Sequence, residues 1–90
     1  MATTAVIVKI MPSSPNTNLK EIEESARKIL EAKGAKNLSI EEQDIAFGLK
    51  AIMLKFAWPE ENGTDLIEES LSKIKDVSSV TIEDYRRAFG

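Results

Sequence analysis

The chain has 90 residues, which suits a single domain made of one sheet and one layer of helices. It is 42% hydrophobic and 30% charged, an ordinary globular composition, and its net charge of −3 argues against nucleic acid as the main partner. The absence of cysteine and histidine removes disulfides, thiolate chemistry, the commonest general base and the commonest transition-metal ligand. With no secretory signal and no apolar run near the ~20 residues of a membrane helix, we expect a cytoplasmic protein without membrane contact.

The first half of the chain predicts a strand, a helix and a second strand. Residues 4–11 alternate with both faces largely apolar, which is typical of a central strand. Apolar residues at helical spacing predict a helix over 19–33, with Asn18 placed to cap it and Gly34 placed to end it. The more polar run over 36–43 fits a strand at a sheet edge.

The second half predicts two more strands around a second helix. An apolar alternation over 49–58 indicates the third strand, and residues 65–75 form a helical stripe for which Thr64 is a plausible cap. Residues 77–85 predict the last strand, followed by a tail over 86–90.

The order β-α-β-β-α-β, with right-handed crossovers, predicts a ferredoxin-like α+β sandwich. Its sheet would be four-stranded and antiparallel, in the order 4-1-3-2, with both helices on one face. The inner face would hold Val6, Val8, Ile10, Leu38, Ile40, Ile52, Leu54, Phe56, Val80 and Ile82. The uncovered face would show Ile7, Met11, Leu49, Ala51, Met53 and Tyr85, with Thr81, Glu83 and Arg87 also pointing that way. An uncovered apolar face of this kind often marks a contact site.

The connection between the second and third strands has an unusual composition. Turns favour Gly, Asn, Asp, Ser and Pro, yet this one contains Ala46, Phe47 and Gly48. The change of apolar phase near Ile45 indicates a bulge or a long turn. Two readings of Phe47 stay open: it either packs beneath the turn or is held out for a partner.

The topology separates the two most distinctive parts of the chain. The 45–49 turn falls at one end of the sheet and Arg86 and Arg87 at the other, because a strand of this length spans roughly 25–30 Å. They cannot share one small-molecule site, which favours a protein partner. There is no Ser-His or Cys-His pair, no Cys/His ligand cluster and no glycine-rich phosphate loop, so we expect no enzyme and no metal or cofactor site.

Three segments carry a resemblance to a known family. They are Ile45–Ala51, Val77–Arg87 and, more weakly, Gly63–Glu69. The chain resembles, over essentially all of its length, the archaeal elongation factor 1-beta family, the guanine-nucleotide exchange factors of the GTPase elongation factor 1-alpha. The resemblance implies a single exchange domain over residues 1–90 that binds the GTPase in its GDP-bound or nucleotide-free form.

The resemblance also implies partner-binding residues at both ends of the sheet. They are Ala46, Phe47, Gly48, Lys50, Tyr85, Arg86 and Arg87. Phe47 would contact the second domain of the GTPase, and Arg87 takes the place where eukaryotic members carry a lysine that intrudes near the magnesium site. Since Arg and Lys are not interchangeable in a tight site, Arg86 is an alternative carrier of that role. No catalytic residue is implied, and we expect a monomer when the factor is free.

Two other function classes fit parts of the sequence. A regulatory or ligand-binding module would dimerise through the open sheet face and carry a small-molecule pocket. An RNA-binding sheet would need aromatic residues on its open face and a basic surround, but the chain is acidic and Phe56 and Trp58 belong to the inner face. Two of the predicted contact residues also have a simpler explanation. Lys50 would be a solvated residue beside the turn, and Tyr85 would cover the open sheet without touching a partner.

Overall fold

The fold is a four-stranded antiparallel sheet covered on one face by two helices. The computed structural model describes residues 3–88, with side chains described over 3–86. The elements are β1 Thr3–Pro12, α1 Leu19–Ala32, β2 Lys36–Asp44, β3 Lys50–Pro59, α2 Thr64–Ser72 and β4 Val77–Ala88. The strand order β2-β3-β1-β4 is the predicted 4-1-3-2, and the ferredoxin-like arrangement is confirmed.

The core lies between the sheet and the helices. Six of the ten predicted inner residues are buried, and the other four, all on the edge strands, pack partly buried against them. The helices add Ile22, Ala26, Leu30, Ile67 and Leu71. Trp58 is fully buried and its ring meets that of Phe56 edge-on, with centroids 5.7 Å apart. Burial of each large apolar side chain contributes about 1.5–3 kcal/mol, so this layer is the main source of stability.

Both ends of α1 follow the sequence prediction. The Asn18 side chain accepts a hydrogen bond from the Lys20 N–H at 3.1 Å, which satisfies one free donor of the first turn. At the other end Gly34 adopts a φ of 106°, and the Ala35 N–H donates to the Leu30 carbonyl at 2.9 Å. This is the Schellman termination that a glycine favours.

The predictions for α2 need two corrections. Gly63, not Thr64, occupies the capping position, and the helix has no side-chain capping bond. The helix stops at Ser72 rather than residue 75. The Ile74 N–H bonds to the Leu71 carbonyl at 3.2 Å and Asp76 has a φ of 69°, so the chain needs these residues to turn into β4.

The last strand is longer than predicted and carries a bulge. Because β1 starts at Thr3, it offers pairing partners as far as Ala88, so Arg86 and Arg87 belong to β4 and not to a tail. Val8 pairs with Ile82, but Ile7 pairs with Asp84, which leaves Glu83 as the extra residue.

The bulge reverses the faces of the strand beyond it. Tyr85 pairs with the buried Val6, which places position 85 on the helix side, and Arg86 pairs with Ala5 on the open side. The predicted placement of Tyr85 on the open face is therefore wrong. Arg87 takes the register position opposite Thr4, again in phase with the helix side rather than with the open face as predicted.

The open face is less apolar than predicted. Lys9, Lys55 and Glu41 interrupt it, and Leu49 lies in the turn before β3 instead of in the sheet. The apolar members are half-buried (Ile7, Met11 and Met53) or fully buried (Ala51). A continuous apolar surface is therefore absent from the described part of this face.

Two carboxyl groups meet between α1 and the edge strand β2. Glu42 is opposite the buried Ile52, so it points toward the helix layer, as inward-pointing charges on edge strands often do. The pKa of Glu23 is raised to about 7, mainly by burial and then by the hydrogen bond and the negative charge of Glu42. The positive charges of Lys20 and Arg27 lower this pKa but do not cancel the effect. One oxygen of Glu23, Oε2, is shielded from solvent without a hydrogen-bond partner.

Replacing Glu23 with glutamine should make the free energy of unfolding less dependent on pH. The folded protein keeps this proton up to about pH 7, whereas an ordinary glutamate loses it near 4.5. The stabilisation from the protonated pair is therefore present below pH 4.5 and lost as the pH rises through 7. Above that pH the glutamine variant should be more stable by on the order of 1 kcal/mol, since the pair is partly solvated.

Urea unfolding of both proteins across this pH range measures the effect. Glu24→Gln, at an exposed position on the same helix, is the matched control and should follow the parent protein. Parallel curves for the parent and the Glu23 variant would contradict the raised pKa of Glu23.

Candidate partner-binding site

The turn between β2 and β3 is short and closed by backbone hydrogen bonds. Only Ala46, Phe47 and Gly48 separate Ile45 from Leu49, whose carbonyl accepts from the Ile45 N–H at 2.8 Å. The strand pairing continues without a break from Ser39 to Asp44. At the turn the Leu49 N–H donates to the Ala46 carbonyl at 3.4 Å, so Ile45 and Ala46 both face Leu49, which agrees with the predicted change of phase near Ile45. The rigid hairpin fixes the direction in which the turn projects.

The two central residues of this turn have positive φ. Phe47 has φ 66° and ψ 27°, and Gly48 has φ 75°. The type I′ turn has this combination, and Asn-Gly is its usual pair because both residues tolerate it. Glycine adopts such a φ freely, but a phenylalanine in this region is strained by about 1–2 kcal/mol. A residue that tolerates positive φ would form this turn more easily than Phe47 does. The folding of the turn therefore gives no reason for a phenylalanine at this position.

Phe47 is also the most exposed large apolar side chain among the described residues. Its side chain is 94% exposed, and the reading that packs it beneath the turn is wrong. An aromatic ring in water forgoes the stabilisation that burial would give it. The chain thus bears both strain and exposure at Phe47, a pattern that marks binding sites.

The other predicted residues of the turn surround this ring. Ala46, Gly48 and Lys50 are exposed, and Lys50 is opposite Asp44 across the hairpin. We call residues 45–50 the turn pole.

The opposite end of the sheet holds the remaining predicted residues. Tyr85 is 51% exposed, and its N–H donates to Asp84 Oδ1 at 2.9 Å. The Arg86 side chain is 80% exposed, with Nε 3.1 Å from Asp84 Oδ2. The side chain of Arg87 lies outside the described ones, and only its register position is known. We call the end that carries residues 85–88 the C-terminal pole.

The two poles are far apart, as predicted. β3 runs from Lys50 at the turn pole to Pro59, and Pro59 pairs with Thr3, which in turn pairs with Ala88. Ten residues of strand span roughly 33 Å, and the longest dimension of the molecule is 41 Å. Phe47 and Arg86 therefore cannot touch the same small molecule.

The described residues offer little other chemistry. Among residues 3–88, no group of three or more Asp and Glu side chains could hold a metal ion. No described helix is long and apolar enough to cross a membrane. A groove of about 580 Å³ lies at the C-terminal pole, between the end of α1 and the ends of β1 and β3. The sequence patterns did not indicate this groove, because they record where apolar side chains recur and not where the folded chain leaves a space.

Comparison with known proteins gives a consistent result. Residues 5–88 match the family described as the EF-1 guanine nucleotide exchange domain. The chain is 40% identical to elongation factor 1-beta of Methanobrevibacter smithii, covering 97% of this chain and 98% of the relative. It is 39% identical to elongation factor 1-beta of Methanosarcina acetivorans (96% and 99%) and 35% identical to that of Haloarcula marismortui (97% and 99%). The chain therefore belongs to the EF-1 guanine nucleotide exchange domain family.

Proposed function

We propose that this protein is a translation elongation factor that promotes the exchange of GDP for GTP on elongation factor 1-alpha. The whole chain acts as one exchange domain and binds the GTPase in its GDP-bound or nucleotide-free form. The observation that carries the proposal is Phe47, a strained and 94% exposed aromatic residue at the tip of a rigid hairpin. Membership of the exchange-domain family supplies the class of partner.

The partner is bridged by the two poles. At the turn pole, Phe47 enters the second domain of the GTPase, with Ala46, Gly48 and Lys50 around it. At the C-terminal pole, Tyr85, Arg86 and Arg87 approach the nucleotide domain near its magnesium site. A distance of more than 30 Å between them suits two domains of one GTPase and is too long for a metabolite.

The exchange reaction needs no covalent step in this account. The factor binds the nucleotide-free GTPase more tightly than the loaded one, and reciprocity then requires that its binding weakens the affinity for GDP. A guanidinium group near the magnesium and phosphate site opposes the binding of the metal, and GDP is loosened when the charge of the metal is lost. The protein thus shifts an equilibrium rather than acting as an enzyme.

The competing proposal, a regulatory module that dimerises through its open sheet face, has less support. That face carries Lys9, Lys36, Lys55 and Arg86 against Glu41 and Asp84. A symmetric dimer would place this excess of cations against its own copy. The experiment that separates the two proposals is release of GDP from elongation factor 1-alpha with and without this protein.

A further inference from the structure

We infer that the groove at the C-terminal pole receives an apolar side chain of the GTPase, and that Lys36 pairs with a carboxylate beside it. This inference rests on the proposed function and extends the contact at the C-terminal pole onto the open sheet face. None of its residues was among the predicted site residues.

Two of the residues that line the groove, Gly34 and Ala57, have little or no side chain. Phe56 and Trp58 are buried in the core, so the alternation of β3 leaves Ala57 on the open face between them. Its neighbour across the pair, Ala5, also ends at Cβ. At the end of the sheet, Gly34 and Pro59 close the wall, where a Cβ on Gly34 would lie only 3.0 Å from Pro59 Cγ. The described side chains leave about 580 Å³ open at this position.

The lining of the groove suits an apolar group with a charged neighbour. Ala57, Pro59 and the methyl group of Thr3 supply apolar surface, and Lys36, Glu60 and Glu61 supply charged side chains. Pockets that anchor one apolar side chain inside a ring of polar contacts are typical of the energetic centre of protein interfaces.

Continuity with the C-terminal pole identifies the occupant as the GTPase. Lys36, Ala57, Ala5 and Arg86 lie in one row across the four strands. At about 4.8 Å per strand, Lys36 and Arg86 are separated by roughly 14 Å, well within one interface. A partner that reaches Arg86 from the open side also covers the groove.

The charge of the open face selects an acidic surface on the partner. The paired positions of this face, within the described side chains, carry four cations and two anions, although the chain as a whole has a net charge of −3. Asp84 already lies 3.1 Å from Arg86, so Lys9, Lys36 and Lys55 contribute most of the excess. Because Glu60 and Glu61 occupy the loop side of the rim, the partner's carboxylate is expected on the sheet side, at Lys36.

Ala57→Leu tests the groove, with Ser39→Leu as the matched control. Both substitutions add the same side chain to the open face, but only position 57 lines the groove. Ala57→Leu should weaken binding of the nucleotide-free GTPase, measured by calorimetry, by about ten-fold or more, and Ser39→Leu should weaken it by less than about two-fold. Equal melting temperatures would show that both variants are folded.

Lys36→Glu provides a second variant at an exposed position that does not depend on packing. It should weaken binding by about three- to ten-fold, with the loss diminishing at high salt. If both the Ala57 and the Lys36 variants bind the GTPase as tightly as the parent protein, the inference is overturned. The proposed function would still stand in that case, provided that the parent protein accelerates the release of GDP from the GTPase. A homodimer that Ala57→Leu dissociates would assign the groove to a second copy and also overturn it. Failure of the parent protein to accelerate GDP release would remove both proposals.

Discussion

Replacing Phe47 with alanine should reduce the acceleration of GDP release by at least about ten-fold, because aromatic anchors at interface centres contribute 2 kcal/mol or more. The melting temperature should not fall. The side chain is 94% exposed, so its removal costs no core packing. The readout is the rate at which a fluorescent GDP analogue leaves elongation factor 1-alpha when excess GTP is added.

Two further variants distinguish the effect of the aromatic ring on activity from the effect of the turn conformation on stability. Phe47→Asn should raise the melting temperature, because Asn-Gly is the favoured pair for a turn with two positive φ values, yet it should be as inactive as alanine. Phe47→Tyr keeps an aromatic ring in the same backbone and should retain most of the activity. A fully active Phe47→Asn protein would show that the ring does not anchor the partner.

Replacing Arg87 with alanine should slow GDP release by about ten-fold, and replacing Arg86 should slow it by only about two- to three-fold. The charge of Arg86 is partly offset by Asp84, whose Oδ2 lies 3.1 Å from its Nε. The register also assigns the two positions to opposite faces of β4, so the two substitutions test different surfaces. Both rates come from the same displacement assay.

The proposed role of Arg87 can also be tested by removing magnesium in the same assay. If the cation acts by opposing magnesium, chelating the metal should shrink the difference between the parent protein and Arg87→Ala. Arg87→Lys retains the charge and should be closer to the parent protein than alanine is. A larger defect in Arg86→Ala would move the role to Arg86, and a defect that ignores magnesium would contradict the electrostatic mechanism.

The arrangement of the sheet could be predicted because its signals are local and repeated. Apolar alternation in β1 and β3 and helical stripes in α1 and α2 each extend over many residues. Asn18 and Gly34 punctuate α1 through backbone chemistry that is specific to those residue types. Consistent signals at several levels leave few alternative topologies.

The faces of β4 could not be predicted, for a physical reason. Ile82, Glu83, Asp84 and Tyr85 alternate in polarity closely enough to continue the pattern, and nothing local marks Glu83 as the extra residue. A bulge is chosen by the pairing with β1, which lies more than 70 positions earlier in the chain. A shift of one residue then moves every later position to the other face.

The candidate site was predictable in composition but not in geometry. Phe47 was identifiable because a phenylalanine is unusual in a turn, yet its exposure depends on a backbone conformation that Phe-Gly does not signal. The groove lies beside Ala57, whose side chain ends at Cβ, and a short side chain leaves no periodic pattern. Its residues come from three separate stretches of the chain and meet only in the folded protein.

Release of GDP from elongation factor 1-alpha of the same organism is the most direct test of the exchange proposal. The GTPase is loaded with a fluorescent GDP analogue and challenged with excess GTP, alone and with increasing amounts of this protein. The proposal predicts an acceleration of about 30-fold or more, because a coupling of about 2 kcal/mol lowers the affinity for GDP by that factor and such losses appear mainly in the dissociation rate. Release at the spontaneous rate, with a factor that is folded and monomeric, would contradict it.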